Sequence, residues 1–262
     1  MSLPNQLLAR SFDANPDGYR CHRPGYPPEL FEAIFRYARL SNPARCLEIG
    51  AGAGQATQAF LIRGCHVHAL EPGIGLADQL RAKLGHLPNL QVSQSGFEEF
   101  DAQDGCYDLI YSASAFHWLP KQTAYQKAFH LLKPKSTLAL FWASFSVNRP
   151  IDPSHQALQT IFARHEFKMT EAPNDPERHQ RKQNSLVKRG FVDVACEVFK
   201  ADHFLRPCDF LNFLATTSRF LILSPEQKAA LKSEILDSLE SYKGVWLDQT
   251  CDLYLAKRPA HA

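Results

Sequence analysis

The stretch CLEIGAGAGQAT, residues 46–57, decides the fold. An apolar run passes through Glu48, then Gly50, Gly52 and Gly54 follow at alternate positions, and helix-compatible residues come next. Glycines at a strand-to-helix turn let the backbone approach a ligand closely and aim the amides of the helix start toward it. A dinucleotide fingerprint would space its glycines GxGxxG, but Gln55 stands where the last one is required and Gly54 comes one residue early. A carboxylate at Glu48 would repel a pyrophosphate and suits a ligand that carries an ammonium group.

Working outward, Glu71 closes the next apolar run, CHVHALE (65–71). That is near the offset at which an acidic side chain takes up a ribose diol in this topology, since one carboxylate accepts from two hydroxyls. A ligand with a ribose and an amino acid but no phosphate is S-adenosylmethionine. On either side of these motifs the chain alternates. PPELFEAIFRYARL (27–40) has helical apolar spacing, and ARCLEIG (44–50), CHVHALE, LQVSQ (90–94), YDLIYS (107–112) and STLALFWAS (136–144) read as short strands. Helix-length segments at 53–63, 74–85 and 120–132 separate them, which predicts right-handed crossovers and a doubly wound α/β sheet.

The pattern changes at VNRPIDPSHQ (147–156), after which a polar, His-rich stretch to about residue 185 reads as an insertion. FVDVACEVFKADHFL (191–205) and VWLDQTCDLYLAKRP (245–259) are two late strands that rejoin the sheet, with a helix predicted over 225–243. The expected division is a core of 1–145, 189–202 and 245–262, with a helical cap of 146–188 and 203–244.

Composition narrows the function classes. The 262 residues are 45% hydrophobic and 21% charged with a net charge of +2, which excludes a disordered tail, a disulfide miniprotein and a coiled coil. So small a net charge makes no global field for nucleic acid or anionic lipid. The seven cysteines are scattered without CxxC spacing, so they read as free thiols and no metal site is expected. TLALFWASF is too short to span a bilayer, and the opening residues lack a basic region followed by an apolar one. The expectation is a soluble, cytoplasmic protein without a membrane partner; the oligomeric state is left open.

These residues together resemble the class I S-adenosylmethionine-dependent methyltransferases, in the small-molecule branch that includes trans-aconitate methyltransferase-like (type 11) enzymes. The likeness also takes in YRCHRPGYPPELF (19–31), similar to a Y-x-x-x-R-P-x-Y-P opening, YDLIYSASAFHWL (107–119), similar to the fourth motif, and TCDLYLAKRP (250–259), similar to the last strand. It implies a Rossmann-like sheet of seven strands with the last one antiparallel. It also implies that Glu48, Gly50, Ala51, Gly52, Gly54 and Gln55 hold the methionine part, Glu71 with Pro72 the ribose, and Ser95, Gly96 and Phe97 the adenine. Ser112 and Ala113 would line the methionine side, and Tyr19 with Arg23 would close over the cofactor. The third motif is usually acidic where this chain has Ser95, so the usual contact to the adenine amino group is either lost or met by a backbone carbonyl or Glu98.

Methyl transfer from a sulfonium is an in-line displacement in which the protein mainly aligns the reactants and excludes water. A carboxylate acceptor needs no base; a hydroxyl or an amine does. His117, beyond the fourth strand, is the candidate catalytic base, Trp118 and Trp142 are candidate walls of the acceptor site, and Arg219 is a candidate partner for an acceptor carboxylate. The basic run RHQRKQNSLVKR (178–189) could track RNA or bind a polycarboxylate, but no NPPY-type tetrapeptide follows the fourth strand. The reading is therefore a methyltransferase acting on the carboxylate or hydroxyl oxygen of a small molecule. The rivals are an RNA-modifying methyltransferase, a nicotinamide-dependent oxidoreductase and a cofactor-binding protein without turnover.

Overall fold

In a computed structural model, residues 23–169 and 175–261 are described. Parallel strands β1 (Arg45–Ile49), β2 (His66–Leu70), β3 (Leu90–Ser93), β4 (Tyr107–Ala113) and β5 (Leu132–Ser146) are joined to β6 (Val192–Leu205) and β7 (Val245–Lys257) in one seven-stranded sheet. The order is β3-β2-β1-β4-β5-β7-β6, and β7 runs antiparallel to both of its neighbours. The chain builds outward from β1 to β3, then returns to place β4 on the other side of β1. The adjacent ends of β1 and β4 are thus the point where an open α/β sheet leaves its crevice.

Helices cover both faces, as strands apolar on both sides require. On one face α1 (Pro28–Ala38), α2 (Thr57–Ile62) and α3 (Ile74–Leu84) bury Leu30, Ile34, Phe60 and Leu80 against Tyr111, Phe141 and Leu253. On the other, α4 (Lys121–Leu131) buries Ala124, Ala128 and Leu131 against Leu47, Ile110, Leu140 and Tyr254. β5 and β7 run on past the sheet. Their ends, Phe145 and Leu247, join a third core with α5 (Pro153–Arg164), α7 (Pro207–Leu214), α8 (Ser218–Leu221) and α9 (Pro225–Tyr242), built on Leu158, Phe162, Phe210, Phe213, Phe220, Ile235 and Leu239.

One element sits differently from expectation. The helix α6 (Pro176–Val187) falls within the segment read as cap, yet its Leu186 is buried with Phe191 in the second face of the sheet. Gly190, at φ +89°, turns the chain directly from this helix into β6, which ties α6 to the sheet layer. Likewise β5 starts at Leu132, earlier than the apolar run at 136 indicated: Leu132 pairs with Tyr107, and the residues at 133–136 form an irregularity before the pairing with β4 resumes at Thr137.

Candidate functional site

A cavity of about 1080 Å³ opens at the ends of β1 and β4. Its first wall is the glycine loop. The amides of Gly50 and Ala51 both donate to the Leu70 carbonyl, at 2.9 and 3.0 Å, so the loop is bound back onto β2. Gly50 lies at φ +71°, and a Cβ there would sit 2.4 Å from the Cβ of Ala115. Only a bare backbone fits between the ends of β1 and β4. Gly52, at φ +57°, donates its amide to Glu71 Oε2 at 2.7 Å, and the Gly73 amide donates to Glu71 Oε1 at 2.9 Å. Glu71 thereby pins two loops with one carboxylate on the cavity wall.

Of the residues expected to hold a cofactor, Arg23, Gly50, Gly52, Glu71, Pro72, Ser95, Gly96, Phe97 and Ala113 line this cavity. The guanidinium of Arg23 lies 5.6 Å from the Phe145 ring centroid. Tyr19 lies outside the described residues. Among the lining residues between 49 and 99, Glu71, Glu98 and Glu99 are acidic and none is Lys or Arg. That wall has bare glycine backbone and carboxylates that can accept from hydroxyl and ammonium groups.

Five expected contacts are corrected. Glu48 does not line the cavity. Strand alternation turns Leu47 and Ile49 toward one face and Glu48 toward the other. There, fully buried, it accepts from Thr57 Oγ1 at 2.6 Å and from the Tyr111 hydroxyl at 3.0 Å, with Oε1 left without a partner among the described residues. Burial pushes its pKa up to about 8, against the pull of those two hydrogen bonds. Gly54 also faces inward: a Cβ there would meet Leu80 Cδ1 at 2.6 Å, so its bareness serves packing on α3. Ala51 is buried, Gln55 does not line the cavity and its amide nitrogen is buried, and Ser112 is buried with its hydroxyl donating to the Ile49 carbonyl at 2.8 Å, tying β4 to β1.

The opposite wall is aromatic and cationic. His117, Trp118, Trp142 and Arg219 line the cavity in company with Phe145, Phe167 and Phe213. Trp142 Nε1 donates to His117 Nδ1 at 3.0 Å; His117 keeps an exposed edge, and crowding by the surrounding protein atoms, with the charge on Lys182 second, pushes its pKa down. The sequence reading missed Lys168 and Ser114. Ser114 is held at φ +55°, and its hydroxyl accepts from the Ala143 amide at 3.2 Å and meets the Tyr26 hydroxyl at 3.0 Å. No local pattern marks either residue.

The basic run at 178–189 resolves into two populations. Arg178 and Lys182, one helical turn apart on α6, line the cavity, whereas Arg181 pairs with Asp175 and Glu177, and Arg189 bonds back to Ser185. The Lys182 ammonium stands 3.0 Å from the Trp142 ring centroid and 4.8 Å from that of Tyr254, a cation–π seat between two aromatic faces. Burial, with Arg178 next in effect, lowers the pKa of Lys182 to about 7. A continuous basic face for RNA does not result.

A family model described as a methyltransferase domain matches residues 46–135, the segment from β1 to β5 that carries the glycine loop, Glu71 and His117. Over residues 46–135 the chain is similar to a methyltransferase domain. The matched segment includes the glycine loop and Glu71 of the first wall described above. An uncharacterized methyltransferase of Mycobacterium bovis is 30% identical over 142 residues, which are 54% of this chain and 56% of that one. The chain spans about half the length of this and other curated relatives, 53% of an uncharacterized methyltransferase of Schizosaccharomyces pombe among them. A malonyl-acyl-carrier-protein O-methyltransferase of Paenibacillus sp. is 26% identical over 224 residues, 79% of this chain and 76% of that one. Among solved structures, a protein provisionally described as a type II methyltransferase from Anaeromyxobacter dehalogenans has the same fold. It superposes with a TM-score of 0.69 at 19% identity, covering 91% of this chain and 99% of its own. Among the described residues, no helix is long and apolar enough to cross a membrane, and no cluster of His, Cys, Asp and Glu is arranged to hold a metal.

Proposed function

We propose that the chain transfers a methyl group from S-adenosylmethionine to an oxygen of a small molecule, with a carboxylate as the favoured acceptor. The observation that carries this reading is the polarity of one cavity: glycine backbone and carboxylates on one wall, and Trp118, Trp142, Lys182, Arg178 and Arg219 on the other. At about 1080 Å³ the cavity is at the upper end of the usual range for small-molecule sites, roughly 300–1,000 Å³, which leaves room for an acceptor beside a cofactor.

Bound there, S-adenosylmethionine supplies an electrophilic methyl group on a positively charged sulfur. The Gly50 and Gly52 backbone gives the methionine part its close approach, and Glu71 accepts from the ribose. A carboxylate offers about four acceptor positions, so the amides of Gly52 and Gly73 and a ribose diol are compatible on it. Arg178, Lys182 and Arg219 attract and orient an anionic acceptor, and the aromatic side chains between them exclude water from the reaction line. Arg219 comes from α8 in the third core, which supports a role in substrate choice for the elements added to the common sheet.

Calorimetric titration with S-adenosylmethionine and S-adenosylhomocysteine, followed by transfer of a labelled methyl group to a panel of carboxylic acids, alcohols and amines, tests the proposal. Saturable binding of both cofactor forms and label on acids is the expected outcome. Absence of binding removes the methyltransferase reading, and label confined to amines removes the oxygen acceptor.

A further inference from the structure

The His117 ring is held in one protonation pattern by its neighbour. An indole N–H donates and never accepts, so the 3.0 Å bond from Trp142 Nε1 requires a bare lone pair on His117 Nδ1. A neutral imidazole carries one N–H, and with Nδ1 bare it resides on Nε2. Turning the ring over would put a C–H against the indole and lose the bond. The charged group that acts on His117 is Lys182 from α6, and Lys182 is itself acted on by Arg178 from the same helix, by Asp252 from β7, which Arg178 faces at 3.5 Å, and by Lys121 from the start of α4. The cation nearest in effect to His117, Lys182, opposes a second proton on the ring, in line with its depressed pKa. His117 is therefore neutral at pH 7, its one lone pair is occupied by Trp142, and what it has left to offer the cavity is an N–H.

We propose that Trp142 is a positioning residue that locks His117 as its Nε2–H tautomer, so that this wall presents the methyl acceptor with a hydrogen-bond donor instead of a general base, and that this restricts turnover to acceptor oxygens that are already anionic. In chemical terms, a carbon–oxygen bond forms as a carbon–sulfur bond breaks; a carboxylate then yields a neutral ester and a neutral thioether with no proton to move. A hydroxyl acceptor would leave one proton over, and the locked ring has no free site to take it. This replaces the catalytic base expected of His117 with a donor, and it narrows the acceptor from carboxylate or hydroxyl to carboxylate alone. The consequence for the acceptor rests on the methyltransferase reading; the tautomer does not.

The test is ¹⁵N NMR of histidine-labelled full-length protein, with and without S-adenosylhomocysteine, the His117 signals being assigned by their loss in His117→Gln. The lock predicts an unprotonated, pyridine-type Nδ1 and a protonated, pyrrole-type Nε2 at pH 7, still neutral at pH 5.5. In Trp142→Phe, checked for folding by thermal unfolding, both tautomers become populated. A proton on Nδ1 in the wild type, or a mixture of tautomers there, overturns the proposal.

Activity gives an independent readout. Glutamine keeps a side-chain N–H donor but has no basic nitrogen, so His117→Gln retains carboxylate methylation within about tenfold, whereas His117→Leu loses on the order of a hundredfold. Equal loss in both variants overturns the donor role. If calorimetry finds no cofactor binding at all, the methyltransferase reading fails while the NMR result still decides the tautomer.

Discussion

The two walls of the cavity are built by different means. The glycine-loop wall is mostly backbone: the amides of Gly50 and Ala51 share the Leu70 carbonyl, and Gly52 and Gly73 share Glu71, all within the turns that follow β1 and β2. The facing wall is mostly side chain, gathered from the turn after β4, the end of β5, α6 and α8. A backbone wall tolerates few substitutions because its shape depends on φ angles and on the absence of Cβ atoms. A side-chain wall can change residue by residue without disturbing the sheet. On the proposed reading, the first wall holds the cofactor and the second, which can change residue by residue, chooses the acceptor.

The hardest way to break that contrast is Gly50→Ala. The substitution puts a Cβ at φ +71° and 2.4 Å from the Cβ of Ala115, a short side chain that cannot swing aside. The strain and the clash together cost about 2–4 kcal/mol of stability, and cofactor affinity falls at least a hundredfold as the ends of β1 and β4 are forced apart. Chemical denaturation and calorimetry measure the two effects; normal affinity in this variant would show that the loop is not a backbone wall. A smaller effect is expected for Glu71→Ala, which removes the one side chain on which the glycine-loop wall depends. Loss of a charged acceptor weakens cofactor binding by about 1–3 kcal/mol, roughly five- to 150-fold, with the fold retained. An unchanged dissociation constant would refute the ribose assignment.

The same contrast explains what was legible from sequence. Glycine spacing, the strand-final Glu71 and the alternation of strands and helices are local signals, because a backbone wall is written in consecutive residues: Gly50, Gly52, Glu71, Pro72, Gly96 and Phe97 all line the cavity. Local signals mislead about direction, however. Glu48, Gly54 and Ser112 belong to the same motifs and face the core, since strand alternation and the packing of Leu80 decide where each side chain points. For the second wall, the sequence offered types without addresses. Arg178 and Lys182 stood out only as members of a basic run, and nothing local separates them from Arg181, which pairs with its own helix. Lys168 carried no mark at all, because it reaches the cavity through a tertiary contact made by the third core.

The mildest variant bears on the two glutamates that looked alike in the sequence. With a pKa near 8 in a fully buried site, Glu48 is protonated at pH 7 and donates or accepts as a neutral group beneath the loop. Glu48→Gln is a near-isosteric replacement of that neutral acid, so cofactor affinity at pH 7 should change by no more than about twofold, against the larger loss in Glu71→Ala. The sign of the pH dependence separates a core role from a ligand role. The folded protein keeps the Glu48 proton up to about pH 8, whereas the unfolded chain releases it near the ordinary carboxyl value of 4.5, so the folded state binds more protons between those limits. The Glu48 contribution to stability is therefore fully present below about pH 4.5 and is lost as pH rises toward 8. Glutamine does not titrate, so the stability of Glu48→Gln relative to wild type should climb from pH 5 to pH 8 and level off above it, as followed by urea unfolding at a series of pH values. A wild-type protein that gains stability from this residue as pH rises would mean an ionised Glu48, and with it a charge under the loop that the neutral, inward-turned carboxyl does not supply.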